Sequence, residues 1–599
     1  MAGFITRPVV TGRRGVVTSG HYLATAAGFR IMENGGNAID AAAAMCIAVE
    51  LMEPQSCGIG GEVPTLIYSA EEGKVFSISG LGWSPQAFTV EWCKENDIDL
   101  IPGDGYLPIT VPAVVGTWAE AVARWGTKSF SEILAPSIDL AENGFALYAG
   151  LQGSLAGGVR KFTELYPSTG EVYLPNGEAP EVGDLIRNPD FAEMLRIMCR
   201  AEEAAKGKGR VAGIEAARDA FYKGEIAERI LEFITTTPVE DATGKAHTAL
   251  LSYEDMAEWQ PAVEESAMVD YRGLEVHKCS TWTQGPVFLQ QLTLLEGYDL
   301  ASMGHNSAEY IHTLVEASKL AFADREAYYG DPDFDDVPLD ALLSKEYAAE
   351  RRALIGETAS MEQRPGDVGR GFPDYVLEDV AQNNRRALGV SESELVDLGL
   401  SHAHVSDTTH LDAIDAAGNM VSATPSGGWI GSSPVIRGLG LPLGTRGQMF
   451  YLNPDRPNAL EPRKRPRATL TPSMVTKNGE PWMAFGTPGG DSQDQITLQF
   501  LLNYVEFGMN MQEAVDPPTF YSTHFPSSFY PRKAFPGQFD IEDRVSDEVV
   551  NELTDRGHSV NRVDPWSNGK VMGIRYDKKR GTMYAGTSPR REVAYSFGW

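Results

Sequence analysis

The residues of this 599-residue chain that could do chemistry gather late in the sequence. Thr408 and Thr409 open a hairpin. The run Thr409-His410-Leu411-Asp412-Ala413-Ile414-Asp415 alternates as a strand does, Ala416-Ala417-Gly418-Asn419 supplies a turn, and Met420 to Thr424 returns as the second strand. A threonine hydroxyl is a weak nucleophile until a base takes its proton, so it needs a partner. Further on, Trp482 to Phe485 reads as a strand, Gly486-Thr487-Pro488-Gly489-Gly490 as a tight loop and Gln493 to Phe507 as a helix. Glycines between a strand and a helix can aim backbone N–H groups at an anion. His402, His404 and His410 raise the question of a metal, but no carboxylate stands at ligand spacing and none is expected. Cys46, Cys57, Cys93, Cys199 and Cys279 are scattered without a CxxC pair, which sets aside a zinc–thiolate site. Reduced thiols in a cytoplasm are the expectation.

The elements that position these groups follow from composition and periodicity. With 51 Lys plus Arg against 82 Asp plus Glu the formal charge is −31, so the surface repels polyanions and nucleic acid is excluded as a natural partner. Hydrophobic residues at 42% and charged ones at 22% are those of a globular chain with ample core. The length suggests roughly three to four domains, a prior that one large layered enzyme fold overrides. The first residues lack a secretory pattern. The most apolar window, Ala41 to Met52, falls far short of a bilayer span, so no membrane helix is expected. Residues 20–53 predict two helices around Asn34-Gly35-Gly36, with Asn37 capping a second helix that is apolar all round. The cluster Ser56-Cys57-Gly58-Ile59-Gly60-Gly61 has a helix before it and a strand after it. That is the reverse of a dinucleotide loop, and a tight turn is predicted. Phe191 to Cys199, Ala212 to Tyr222, Ile226 to Thr235 and Glu309 to Tyr329 predict helices packed against a sheet. Residues 360–407 lose periodicity and predict a mobile connection.

Seven strings then carry a resemblance. Gly35 to Ala42, Ser56 to Gly61, Leu134-Ala135-Pro136 through Asn143-Gly144-Phe145, Ala321 to Arg325 with Gly330-Asp331-Pro332, Asp407-Thr408-Thr409-His410, Pro488-Gly489-Gly490 and Ser588-Pro589-Arg590 stand in the order seen in γ-glutamyltranspeptidases and their acylase relatives. The chain resembles that family over nearly its whole length. The resemblance implies an N-terminal nucleophile hydrolase: an α+β fold, a four-layer αββα sandwich, made as one precursor that cuts itself. The cut is expected between Asp407 and Thr408. It would give a large chain of residues 1–407 and a small chain of residues 408–599, associated in one domain, with homo-oligomerisation left open.

On this reading Thr408 is the nucleophile, first on the carbonyl of Asp407 and then on substrate. Its freed α-amine, with a reference pKa near ~8, can take the hydroxyl proton. Gly489 and Gly490 would meet the oxyanion, a donor there contributing ~3 kcal/mol. Ser426 falls where the family places a hydroxyl bonded to the nucleophile, although a turn serine beside Gly427-Gly428 is the plainer alternative. Thr409 either supports the nucleophile or is a β-branched strand residue. Asp324 and Arg325 are expected to fix helix packing through an ion pair. No cofactor and no metal are expected.

The departures from the family concern the substrate. The family's arginine for a glutamyl α-carboxylate becomes Leu81 in Gly80-Leu81-Gly82-Trp83, and its acid for the α-amine is missing from Gln448-Met449-Phe450-Tyr451. Its asparagine becomes Gly428 and its Ser-Ser pair Ala468-Thr469. Substrate contacts are therefore expected at Leu81, Trp83, Gln448, Tyr451 and Thr469, with Trp83, Trp429, Phe450 and Tyr451 either lining a more apolar acyl pocket or, at least as often for such aromatics, serving as plain core. Arg437, Arg446 and the run Arg463-Lys464-Arg465-Pro466-Arg467 either hold an anionic end or, for the run, form a solvated loop. Three functions stay open: an acylase acting on a small-molecule amide with a non-glutamyl acyl group, a true γ-glutamyl hydrolase and transferase, and an uncleaved protein that only binds.

Overall fold

The computed structural model describes residues 4–369 and 408–599. Its principal strands are β1 (Val10–Gly12), β2 (Gly15–Ser19), β3 (Thr65–Ser69), β4 (Lys74–Ile78), β5 (Val263–Glu265), β6 (Ala267–Tyr271) and β7 (Leu274–Lys278), followed by β8 (Leu411–Asp415), β9 (Met420–Ala423), β10 (Ser473–Lys477), β11 (Glu480–Gly486), β12 (Met572–Asp577), β13 (Thr582–Thr587) and β14 (Tyr595–Gly598). They form two seven-stranded sheets, β14-β2-β8-β9-β3-β4-β5 and β1-β13-β12-β11-β10-β7-β6. Every pairing within these two sheets is antiparallel. Period-two alternation sends each strand's side chains to two different cores. Val16, Leu66, Ile414 and Met420 join Met474, Ala484 and Ile574 in a core between the sheets. Val17, Ile67, Ala413 and Val421 face the outer helices on one side, and Val475, Met483 and Phe485 face those on the other. The result is the expected helix–sheet–sheet–helix layering, with both expected halves contributing to each sheet.

The predicted helices form at α1 (Tyr22–Glu33) and α2 (Ala38–Met52), where Asn37 and Asp40 close a capping box and every residue of α2 is buried. The hairpin β8–β9 pairs Leu411 with Ala423, and Asp415 fastens its turn by accepting from Asn419 N and from Ala38 N at the start of α2. One expectation changes. The helices Pro189–Ala205, Arg210–Tyr222 and Glu225–Thr236 pack on other helices instead of on a sheet, whereas Ala308–Tyr328 lies both against the helix Gly285–Leu295, which itself meets β6 and β7, and against the strand Phe520–Ser522 of a small three-stranded sheet. Amphipathic spacing marks the buried face but not what covers it. Of the connection predicted over 360–407, only 360–369 falls within the described residues.

Candidate active site

Thr408 enters the fold three residues before β8 and is 1% exposed. Its neighbour is fixed by backbone pairing: Ser426 bridges both Thr408 and Glu62, Ser426 N donates to Glu62 O at 2.9 Å, Glu62 N donates back to Ser426 O at 2.9 Å, and Thr409 N donates to Pro425 O at 3.1 Å. This clamp brings Thr408 Oγ1 to 3.1 Å from Ser426 Oγ. Asp407, His402 and His404 lie outside the described residues. The glycine cluster explains why the clamp closes. A Cβ on Gly61 would fall 2.2 Å from Ser426 O, and one on Gly58 would fall 2.2 Å from Gly428 O, so these glycines exist for close approach to the loop that carries Ser426.

Behind Ser426 stands a buried ion pair. Arg446 donates through Nη2 to Ser426 Oγ at 2.9 Å and through Nε to Glu62 Oε1 at 2.6 Å, with both side chains 1% exposed. Burial raises the Glu62 carboxyl, and the Arg446 charge opposes that rise. The guanidinium lies over the rings of Trp429 and Phe529 at 5.1 and 5.7 Å, in a small cluster that also holds Met449.

The loop after β11 comes to the same end of the sheets. His410 lies against Gly486, where a Cβ would be 2.3 Å from the ring, so the residue that starts this loop is packed on the strand that follows Thr408. His410 itself bonds Thr424 Oγ1 at 3.0 Å and Asp412 Oδ1 at 2.9 Å, which occupies both ring nitrogens. Gly489 (φ 127°) and Gly490 (φ 53°) take conformations that favour glycine, and a Cβ on Gly490 would meet Phe529 at 2.8 Å. Among the described residues neither N–H of this pair donates to any acceptor. The loop is pinned from outside: Gln284 donates to Gly490 O at 3.3 Å, and Asp491 accepts from Arg325 and from Ser528 N and Oγ.

A second cation reaches the main chain of Thr408. Arg591 donates to Thr408 O at 3.1 Å and to Ser56 Oγ at 3.2 Å and pairs with Glu53 at 2.7 Å. Thr409 Oγ1 is buried beside Glu53 and has no hydrogen-bond partner among the described residues. Glu53, Glu62 and Arg591 have no expected role in the sequence reading. Their only local signals are an acid directly after Gly60-Gly61 and a second arginine after Ser588-Pro589-Arg590.

The expected substrate residues do not converge. Leu81 is fully buried in the core between the sheets, with Trp282, Ala468 and Leu470. Trp83 donates from Nε1 to Asp255 O at 3.1 Å and carries Arg463 over its ring. Gln448 braces backbone, donating to Gly103 O and accepting from Tyr530 N, both at 3.1 Å. Phe450 packs with Phe88 and Leu107, and the Tyr451 hydroxyl donates to Glu326 at 2.5 Å. Thr469 Oγ1 is buried without a partner among the described residues. Of the four aromatics predicted to line one pocket, only Trp429 stands beside Ser426 and Arg446.

Three further expectations are corrected. Arg437 is half exposed and pairs with Glu171, away from the site. The basic run is no solvated loop, because Lys464, Arg465 and Arg467 are buried at 0%, 6% and 2% exposure and meet Asp335, Asp331 and Glu326. Asp324 and Arg325 fix packing but not as a pair: Asp324 accepts from Tyr347 and pairs with Arg351, while Arg325 pairs with Glu326 and Asp491. The described residues contain one cluster of metal-ligand type, His312, Glu316 and His558. There Glu316 is already held by Lys319 and Arg364, and His312 and His558 bond each other at 2.8 Å.

The layered fold with these groups at one end of its sheets is that of an N-terminal nucleophile hydrolase. The Gamma-glutamyltranspeptidase family model matches residues 24–597, and the chain belongs to that family. It is 32% identical to the Glutathione hydrolase-like YwrD proenzyme of Bacillus subtilis (strain 168), covering 98% of both chains. Among solved structures it is similar to LmbA2991HD (38% identity, TM-score 0.89, all of both chains) and to a cephalosporin acylase from Bacillus halodurans (29% identity, TM-score 0.82, 100% of this chain and 98% of the other). Homologues named both as glutathione hydrolases and as acylases make it a hydrolase of this family.

Proposed function

We propose that the protein is an autoprocessing amidohydrolase whose nucleophile is Thr408 and whose acyl donor is not a free glutamyl group. The observation that carries the reading is the contact of Thr408 Oγ1 with Ser426 Oγ, at the sheet end that also presents the unpartnered N–H groups of Gly489 and Gly490. In the precursor Thr408 Oγ1 attacks the carbonyl carbon of Asp407. The C–O bond forms, the peptide C–N bond breaks, and the threonine nitrogen takes up the hydroxyl proton. Water then hydrolyses the ester, leaving a carboxylate on Asp407 and a free hydroxyl and amine on Thr408. In turnover that amine accepts the hydroxyl proton as the oxygen attacks the substrate amide. The oxyanion meets Gly489 and Gly490, the amine product departs with the proton, and water or an acceptor amine releases the acyl group.

The acyl assignment rests on what surrounds Thr408. The family's acid for the α-amine is replaced here by Tyr451, whose hydroxyl is committed to Glu326, and the arginine position is a buried leucine. The apolar neighbours beside Ser426 are Trp429, Met449 and Phe529, which suit an acyl chain with an apolar body. Similarity to a glutathione hydrolase-like proenzyme favours γ-glutamyl hydrolysis as the second reading. The buried unpaired thiols Cys46, Cys57, Cys93 and Cys279 suit a reducing compartment, in keeping with a cytoplasmic enzyme.

The test is purification of the full chain and its Thr408→Ala variant, followed by denaturing electrophoresis and assay with glutaryl and γ-glutamyl anilides. Two bands for the parent and one for the variant, with glutaryl anilide the better donor and no turnover by the variant, are expected. A processed Thr408→Ala protein would remove Thr408 from its role, and faster release from the γ-glutamyl anilide would establish the second reading.

A further inference from the structure

Arg446 is a buried charge that the mechanism above does not use. It makes three strong donations, Nε and Nη2 to Glu62 and Nη2 to Ser426 Oγ, while Nη1 meets Met449 Sδ at 3.8 Å. A guanidinium has donors and no acceptor, so the direction at Ser426 is fixed: its oxygen accepts from Arg446. That occupies one lone pair and turns the Ser426 proton away from the cation. Thr408 Oγ1 lies 3.1 Å from the same oxygen, within reach of that proton. A cation on the far side also polarises the Ser426 O–H bond and strengthens its donation to an oxygen gaining negative charge. Glu62 is held on two sides, its main chain paired with Ser426 and its carboxylate crowded by Gly427, where a Cβ would come within 2.5 Å of both oxygens.

We propose that the buried Glu62–Arg446 pair is a positioning device for the nucleophile: Arg446 fixes the Ser426 hydroxyl within hydrogen-bond reach of Thr408 Oγ1, and Glu62 holds Arg446 in the plane that reaches Ser426. The proposal rests on Thr408 being the nucleophile and adds what holds its hydroxyl partner in place. Held there, the Ser426 hydroxyl can donate to the threonine oxygen as that oxygen gives up its own proton, so the alkoxide character of the attacking atom is supported before any α-amine exists. The same arrangement then serves every later turnover. Lysine cannot substitute, because one ammonium lacks the planar fork that meets a carboxylate and a hydroxyl together.

The precursor is its own substrate, so its conversion to two bands reads the device without any chosen ligand. Ser426→Ala is expected to slow conversion about 100-fold, and the isosteric pair Glu62→Gln with Arg446→Met about 30-fold. All three changes together should be no slower than Ser426→Ala alone, because the pair acts only through Ser426. Arg446→Lys, which keeps a charge and tests the geometry if the paired change does not fold, should convert about 10-fold slower with a rate profile displaced to higher pH. In mature protein the glutaryl anilide kcat should fall with KM within about twofold. Losses that multiply with that of Ser426→Ala, or Arg446→Lys converting at the parent rate with the parent pH profile, would overturn the proposal. Processing by Thr408→Ala would instead sink the nucleophile reading. A single band for Thr408→Ala beside parent-like conversion by Arg446→Lys would sink the positioning role alone.

Discussion

Glu326 and Glu62 are both buried glutamates held by arginine, and the chain uses them differently. Glu326 sits at the centre of a cationic cluster: Arg467 and Arg325 reach it at 2.8 Å, Arg456 at 3.8 Å and the Tyr451 hydroxyl at 2.5 Å, while the Tyr451 ring lies between Arg456 and Arg532, each 4.0 Å from its centroid. Burial alone would raise this carboxyl, but Arg467, Arg325 and Arg456 outweigh it and hold it down to about 2. These partners tie the helix Ala308–Tyr328 to the segment 451–467, and none of them touches Thr408. Glu62 has one arginine among the described residues, and that arginine ends on the Ser426 hydroxyl, 3.1 Å from Thr408 Oγ1. Charge in excess of one pair builds structure here, whereas the single pair is aimed at the residue proposed as nucleophile.

The contrast is broken most strongly at Glu326. Glu326→Gln leaves several buried guanidinium groups without their common acid, a change of roughly 3–5 kcal/mol. The expected outcome is a large fall in Tm, with precursor conversion slowed only in proportion to the folded fraction. Because the carboxyl is held low, its contribution is complete above its unfolded value of about 4.3 and is lost as pH falls toward 2. Parent and variant should therefore converge in acid. A folded variant of parent stability that fails to convert would move Glu326 from the scaffold to the chemistry.

Gly61 tests the other side of the comparison. An alanine there places Cβ 2.2 Å from Ser426 O and 2.6 Å from Gly427 C, both backbone atoms, so the clamp must open. Gly61→Ala should slow conversion about 10–100-fold at a stability cost of about 1–3 kcal/mol, measured by gel time course and thermal melting. Parent-rate conversion would show that Ser426 is not held where the Thr408 contact requires it.

What could be read in the sequence was local. The alternation of Thr409 to Asp415, the Asn37 cap and the strand–glycine loop–helix order around Gly489-Gly490 each lie within a few residues, and each formed as expected. What could not be read depends on distance along the chain. Arg446 lies 384 residues from Glu62, and neither residue's neighbours show that they meet. The run at 463–467 reads as solvated because charge density normally means surface. Here the acids that bury it come from Asp331, Asp335 and Glu326, more than a hundred residues away. The same limit left the aromatics open between pocket and core: Trp83, Phe450 and Tyr451 stand at plausible pocket positions, yet each is committed to a separate part of the core.

The smallest effect sharpens the comparison from a third glutamate. Glu50 on α2 is buried with no cation: Oε1 accepts from Cys46 Sγ at 3.6 Å and Oε2 has no partner among the described residues. Burial, with the charges of Glu62 and Glu53 adding to it, raises its carboxyl well above the ordinary value. Below pH of about 4.3 folded and unfolded chains both keep the proton, and Glu50 adds no pH dependence. Above that the unfolded chain releases it while the fold retains it, so stability falls as pH rises, by at most about 1.4 kcal/mol per unit. Glu50→Gln removes that slope. The variant should melt above the parent at pH 8 and with it near pH 4, the reverse of the pattern expected for Glu326→Gln. Melting curves that differ by the same amount at both pH values would mean that Glu50 is charged in the fold and has a cation after all.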